Sequence, residues 1–266
     1  AAAEPPLVDA HAHIWPASMP YSETAWTKPE YGFPVETYLD WLDASGVRFG
    51  VIAAASLFGT NSDYTVQALK AHSRLRGTVI VGPESAFSEL KAMRDAGAVG
   101  VRFQWFFRDP LPDLHADPYR TLMKRLRDLD MHVHINIEGR RLPEVLGQAV
   151  ASGVKTLVDH FGWSTPHLDP DGAGHAAMVE TAAAGKCWIK LSSGFRYPNP
   201  ETPRDLARML VERVGTERLF WGSDAPFVGM ENKVSYPDTV ALYQSWLPDP
   251  HVRRAIDETA YRFYFS

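Results

Sequence analysis

Three places in the sequence set acid–base groups at spacings that chemistry can use. The first is Asp9-Ala10-His11-Ala12-His13. In a strand, alternation puts Asp9, His11 and His13 on one face. Two imidazoles at i and i+2 can converge on one metal ion or one substrate oxygen, or can be solvated groups at a polar strand end. The second place is Asp159-His160, and the third is Ser223-Asp224 inside Phe220-Trp221-Gly222-Ser223-Asp224-Ala225-Pro226. Taken singly, Asp224 reads as a cap and His160 as a hydrogen-bonded core residue. Arginine adds a further pattern: Arg102 and Arg108 flank an aromatic run, and Arg196 follows Ser192-Ser193-Gly194-Phe195. An arginine in an apolar strand has to be paired, either with an internal carboxylate such as Asp9 or Asp159 or with a substrate carboxylate that fits its planar fork.

These groups matter together only if the chain gathers them at one place. Short apolar runs at 7–13, 47–54, 76–82, 98–104, 131–137, 154–160, 187–191 and 219–223 read as strands buried on both faces. Amphipathic stretches lie between them. Val35, Tyr38, Leu39 and Leu42 form one helical stripe that stops at Gly46, and Leu122, Met123, Leu126 and Leu129 form another. Leu90 and Met93 before Gly97, and Leu206, Met209 and Leu210 before Gly215, mark two more. Eight strands alternating with helices predict the α/β class and a (β/α)₈ TIM barrel, one domain over 1–266 with long loops at its C-terminal face. A doubly wound sheet is the rival, and no G-x-G-x-x-G follows the first strand to support its dinucleotide-binding form. In a barrel His13, His160 and Asp224 all stand at the C-terminal mouth, the face on which barrel enzymes build their sites.

Composition narrows the classes. The 266 residues are 45% hydrophobic and 22% charged, ordinary for a globular chain and unlike a disordered one. With 27 Lys and Arg against 32 Asp and Glu, the net charge of −5 offers no basic surplus for nucleic acid or an anionic membrane. No apolar run is long enough to span a bilayer. Cys187 is the only cysteine, which excludes an intramolecular disulfide and CxxC sites and suits a reducing, cytoplasmic compartment. Asp169-Pro170-Asp171-Gly172 reads as a turn rather than a calcium loop, and Ser192, Ser193 and Ser223 lack the G-x-S-x-G elbow of a serine hydrolase.

The order Asp-x-His-x-His on strand 1, His after strand 6 and Asp after strand 8 resembles the amidohydrolase superfamily. Leu7 to Trp15, Phe58 to Tyr64, Gly100 to Phe103, Asp159 to Gly162 and Trp221 to Pro226 are similar to the branch containing 2-pyrone-4,6-dicarboxylate lactonase and sugar-acid lactonases. The resemblance runs over nearly the whole chain. It implies hydrolysis of a carboxylate-bearing lactone without a required metal. Asp224 would be the base that activates water, and His11, His13 and His160 would polarise the carbonyl. It also implies substrate binding by Arg102, Arg108 and Arg196, with Tyr31, Ser56 and Asn136 lining the pocket. Asn136 stands where the pyrone lactonase carries a tyrosine, which separates the two substrates.

Two other catalytic readings stay open at this level. One is a mononuclear zinc-dependent hydrolase or decarboxylase with His11, His13, His160 and Asp224 as ligands, and with His134 as a further candidate. The other is a lactone isomerase. A non-catalytic barrel that binds carboxylates is a third, although binding an anion gives no reason to face it with Asp224.

Overall fold

Apolar strands need partners on both faces, and the chain supplies them in order. In a computed structural model describing residues 3–266, eight parallel strands pair consecutively from β1 to β8. They are β1 (Val8–Ala12), β2 (Phe49–Ile52), β3 (Leu75–Val79), β4 (Ala98–Gln104), β5 (His132–Asn136), β6 (Thr156–Val158), β7 (Trp188–Leu191) and β8 (Leu219–Trp221). Between them run α1 (Val35–Ala44), α2 (Asp63–Ala71), α3 (Phe87–Ala96), α4 (Tyr119–Asp128), α5 (Leu142–Ala151), α6 (Ala173–Ala183) and α7 (Glu201–Arg213), and α8 (Tyr236–Trp246) and α9 (Pro250–Phe265) follow β8. The sheet closes just above its strand ends. Asp224 N–H donates to the His11 carbonyl and His13 N–H to the Ala225 carbonyl, both at 2.8 Å. This is the expected (β/α)₈ barrel.

The helices bury the stripes read from the sequence. Leu122, Met123 and Leu126 on α4 are buried, as are Val35, Tyr38 and Leu42 on α1. Gly97 ends α3 at a φ of 114°, a conformation that favours glycine. The last helix was not foreseen. Ala260 and Tyr264 of α9 pack with Val8, Ala10, Val51, Val99, Leu157 and Phe220, plugging the N-terminal end of the barrel. His132 faces this plug, its ring 5.0 Å from Phe263 and 5.6 Å from Tyr264.

One local irregularity decides what β1 presents. Asp9 pairs with Gly50 and Ala12 with Ile52, so β1 spends one residue more than β2 over the same span. Such a bulge breaks the alternation of faces. The expected common face for Asp9, His11 and His13 is therefore incorrect. Asp9 turns outward, where its carboxylate accepts from Tyr38 of α1, Tyr236 of α8, and the backbone and hydroxyl of Ser223. His11 and His13 both turn inward.

Candidate active site

The C-terminal strand ends carry unusual backbone. His160 (φ 55°), Ser193 (φ 56°) and Asp224 (φ 61°) follow β6, β7 and β8, all in the left-handed region. Each such residue costs on the order of 1–3 kcal/mol and persists only where its surroundings fix it. Here tight turns do so: Gly162 N–H returns to the Asp159 carbonyl, Arg196 N–H to Ser193, and Phe227 N–H to Asp224. The three turns swing His160, Ser193 and Asp224 toward His11 and His13.

Asp224 is the hub. Its Oδ1 lies 3.1 Å from His13 Nε2 and 3.6 Å from His11 Nε2. Its Oδ2 accepts from the Ser193 hydroxyl and, at 3.1 Å, from Arg196 Nε. Burial opposes ionisation, but Arg196, then the His13 hydrogen bond and the charges of His160 and His13, outweigh it and hold the carboxyl well below the usual range. His13 Nδ1 is 2.8 Å from the Ala53 carbonyl, which can only accept, so Nδ1 carries a proton. His160 packs against His11 with ring centroids 4.7 Å apart, and its Nδ1 is 2.7 Å from Ser192 Oγ. Burial keeps His160 neutral, moving it down to about 4 against the pull of Asp224.

Beneath this ring lies a second, buried network. Arg102 is 4% exposed and reaches Asp159 Oδ2 with Nε at 3.1 Å and the Ala54 carbonyl at 2.9 Å. His134 Nδ1 donates to Asp159 Oδ1 at 3.1 Å, and its Nε2 meets the Thr78 hydroxyl at 2.8 Å. Lys190 of β7 is fully buried. Its Nζ is 3.2 Å from His11 Nδ1, 3.5 Å from His134 Nδ1 and 3.7 Å from Asp159 Oδ1. Burial lowers the Lys190 ammonium to about 8, with Asp159 pulling it back up, so the ammonium form prevails at neutral pH. Burial also opposes the charge on Asp159, yet His134, Lys190, His11 and Arg102 together keep its carboxyl well below the usual range.

The remaining predicted residues divide by place. Arg196 is partly exposed and also donates to the Val228 carbonyl. Asn136 is buried, accepting from Trp163 Nε1 and donating to Gln104, each at 2.7 Å. Ser56 accepts from the indole of Trp26, and Tyr31 donates to Glu231 at 2.8 Å. Arg108 is exposed, its guanidinium lying over Trp105 and within 3.3 Å of the Tyr119 hydroxyl. Sequence reasoning gave Lys190 and Ser193 no role. A usable signal existed for Lys190: a lysine between Ile189 and Leu191 in a buried strand must be paired, the argument already applied to Arg102.

Among the described residues, two groups of side chains have metal-ligand types and spacing, His11 with His134 and Asp159, and His11 with His13 and Asp224. The first surrounds the Lys190 ammonium, which leaves it no room for an ion. In the second, Asp224 offers Oδ1, and His13, its Nδ1–H held by the Ala53 carbonyl, would have to give up the contact of Nε2 with Asp224 Oδ1 at 3.1 Å to bind an ion. His11 does not fit. Its Nδ1 faces an ammonium that can only donate, so the neutral ring carries its proton on Nε2, the atom a metal would need bare.

Against known proteins, the amidohydrolase family model matches residues 8–265. The chain is 27% identical over 259 residues to 4-sulfomuconolactone hydrolase of Hydrogenophaga intermedia, covering 93% of this chain and 84% of that one. It is 27% identical over 241 residues to 2-pyrone-4,6-dicarboxylate hydrolase of Comamonas testosteroni, covering 85% and 78%. A Pseudomonas putida structure assigned as a 2-pyrone-4,6-dicarboxylic acid hydrolase superposes with a TM-score of 0.88 at 28% identity, covering 98% of each chain. With its barrel, its histidines on and just after β1 and its aspartate after β8, this chain belongs to the amidohydrolase family.

Proposed function

We propose that the protein hydrolyses a lactone bearing a carboxylate or similar anionic group, with Asp224 as general base. The observation that carries this reading is one juxtaposition: Asp224 Oδ1, an anionic acceptor, lies 3.6 Å from His11 Nε2, a buried donor with no hydrogen-bond partner among the described residues. A base for water and a donor for a carbonyl oxygen then share one place, as ester hydrolysis needs.

In this mechanism Asp224 takes a proton from water as the oxygen attacks the lactone carbonyl. Negative charge gathers on the carbonyl oxygen and is met by His11 Nε2–H, with His160 alongside. The ring C–O bond then breaks, and the leaving alkoxide recovers the proton from Asp224. The product is a hydroxy acid, one water heavier than the lactone. A zinc ion, if bound, would supply Lewis-acid polarisation and a more acidic water, but the donor state of His11 does not accommodate it, and no step here passes through a metal.

Arg196 gives the site a further property. Its ion pair makes Asp224 a weak base in the empty site. A substrate carboxylate that engages the guanidinium draws it away from Oδ2 and makes Asp224 more basic at the moment water must be deprotonated. Tyr31, Ser56 and Asn136 are assigned to the pocket wall, and Arg102 and Arg108 to orientation of substrate anions. The named relatives, whose lactones carry sulfonate or carboxylate groups, support an anionic lactone. Of Arg102 and Arg108, the ion pair of Arg102 with Asp159 makes it the less available. No helix among the described residues is long and apolar enough to cross a membrane. The single buried thiol, Cys187, suits a cytoplasmic enzyme.

The test is turnover of a panel of anionic lactones, including pyrone dicarboxylate, muconolactones and sugar-acid lactones, with products identified by mass. Gain of one water supports hydrolysis. An unchanged mass with a relocated ester means isomerisation, and no turnover of any member overturns the lactone reading.

A further inference from the structure

We propose that Lys190 is a positioning residue: its ammonium occupies the place of a metal ion among His11, His134 and Asp159 and thereby fixes His11 as the Nε2–H donor. The geometry is that of a cation site. One nitrogen or oxygen from each of His11, His134 and Asp159 lies within 3.2–3.7 Å of Lys190 Nζ, and all four side chains are almost wholly shut off from solvent.

The proton assignments follow from the partners. Asp159 Oδ1 accepts from His134 Nδ1, so that nitrogen is a donor and cannot take a bond from Lys190. The neutral His134 ring then has a bare Nε2, which accepts from the Thr78 hydroxyl. His11 Nδ1 is therefore the neutral acceptor left to the ammonium, at 3.2 Å. Bonding there forces the proton of neutral His11 to Nε2. That atom is buried, lacks a hydrogen-bond partner among the described residues, and faces Asp224 across 3.6 Å. An unsatisfied buried donor is costly, and at a site of this kind it is held for an acceptor brought by the substrate. Asp159 and Arg102 complete the device: the carboxylate holds the ammonium, and the guanidinium holds the carboxylate.

The consequence is a choice of chemistry made by one lysine. With Lys190 present, His11 donates and serves as an electrophile. Without it, His11 can present a bare Nε2, and His11, His13 and Asp224 become a three-ligand set. The use of the donor rests on the lactonase reading; its tautomer can be read with no substrate present.

The experiment is ¹⁵N NMR of the histidine-labelled protein at neutral pH, with His11 identified by the signal lost in His11→Gln. The expected result is a bare Nδ1 and a protonated Nε2 at His11; a protonated Nδ1 and bare Nε2 overturn the proposal. Zinc titration of wild type and Lys190→Met follows by calorimetry. The variant is expected to bind zinc about 10–100-fold more tightly, the scale of a changed hydrogen-bond partner behind a ligand. Equal affinity, or a His11 signal moved by zinc in wild type, refutes it. On a lactone that is turned over, Lys190→Met is expected to lower kcat about 10²–10³-fold with KM within about threefold, as when one carbonyl donor is lost. A kcat within about threefold of wild type overturns the role. If Lys190→Met does not fold, the wild-type tautomer decides alone. If no lactone is turned over, the spectroscopic and zinc arms still decide.

Discussion

Asp224→Asn isolates the base from the scaffold that holds it. Asparagine has the same outline and tolerates the positive φ of 61° at this position. The amide keeps one acceptor oxygen for Ser193 and Arg196 and turns its NH₂ toward His13 Nε2, so the ring of contacts survives without the charge. What is lost is proton abstraction, typically 10²–10⁴-fold in rate, or about 3–5 kcal/mol of barrier at 1.36 kcal/mol per decade. Binding moves the other way. Arg196, 3.1 Å from the carboxylate in the native site, is left uncompensated and attracts an anionic substrate more strongly. We therefore expect kcat to fall at least about 100-fold while KM stays level or drops. Weaker hydrogen bonds to the neutral amide should cost about 1–3 kcal/mol of stability, a melting-point loss of several degrees. Steady-state ring opening followed by absorbance, with calorimetry and metal analysis of the same preparation, makes the measurement. Retention of kcat within about tenfold refutes the base assignment. A fall in kcat accompanied by loss of a stoichiometric metal would instead make Asp224 a ligand.

Other perturbations test the neighbours. Arg196→Met removes the cation that depresses Asp224, so the Asp224 carboxyl rises; the acid limb of kcat/KM, expected below the usual carboxylate range in wild type, should move upward while KM increases. An unmoved limb would separate Arg196 from the base. Arg102→Met breaks a buried ion pair at 3.1 Å and should cost about 3 kcal/mol, the low end of such losses because Lys190 and His134 still face Asp159. A melting point within about 2 °C of wild type contradicts this pairing. Gly222→Ala would place a Cβ 2.5 Å from His11 Cβ and 2.8 Å from its backbone nitrogen. It should lower kcat by about 100-fold, as small errors in the placement of a donor do, and full activity in the Gly222→Ala variant would show that His11 is not held by this contact.

The barrel was legible because parallel strands covered on both faces read as apolar runs, and all eight runs became strands. His11, His13, His160 and Asp224 were legible as a group because strand ends in a barrel share one mouth. The grouping of Asp9 with them failed because it assumed unbroken alternation, and the extra residue in β1 sent its carboxylate to Tyr38 and Tyr236. The helix that plugs the barrel was missed although Ile256, Ala260 and Tyr264 recur at i, i+4 and i+8, the spacing of a buried stripe.

Residue types and their order along the chain determined, by themselves, the fold class, the mouth at which the polar groups gather and the class of chemistry they can do. These depend on periodicity and on chain order, which are local properties. Tertiary structure alone decided which nitrogen of His11 carries a proton, which carboxylate each arginine holds and which cluster is filled by Lys190. Those outcomes turn on contacts of 3–4 Å between β1, β4, β5, β7 and the loops after β6, β7 and β8, between residues as far apart in sequence as His11 and Asp224. A hydrogen bond's direction depends on what the partner can give or take, and the partner is chosen only when the barrel closes.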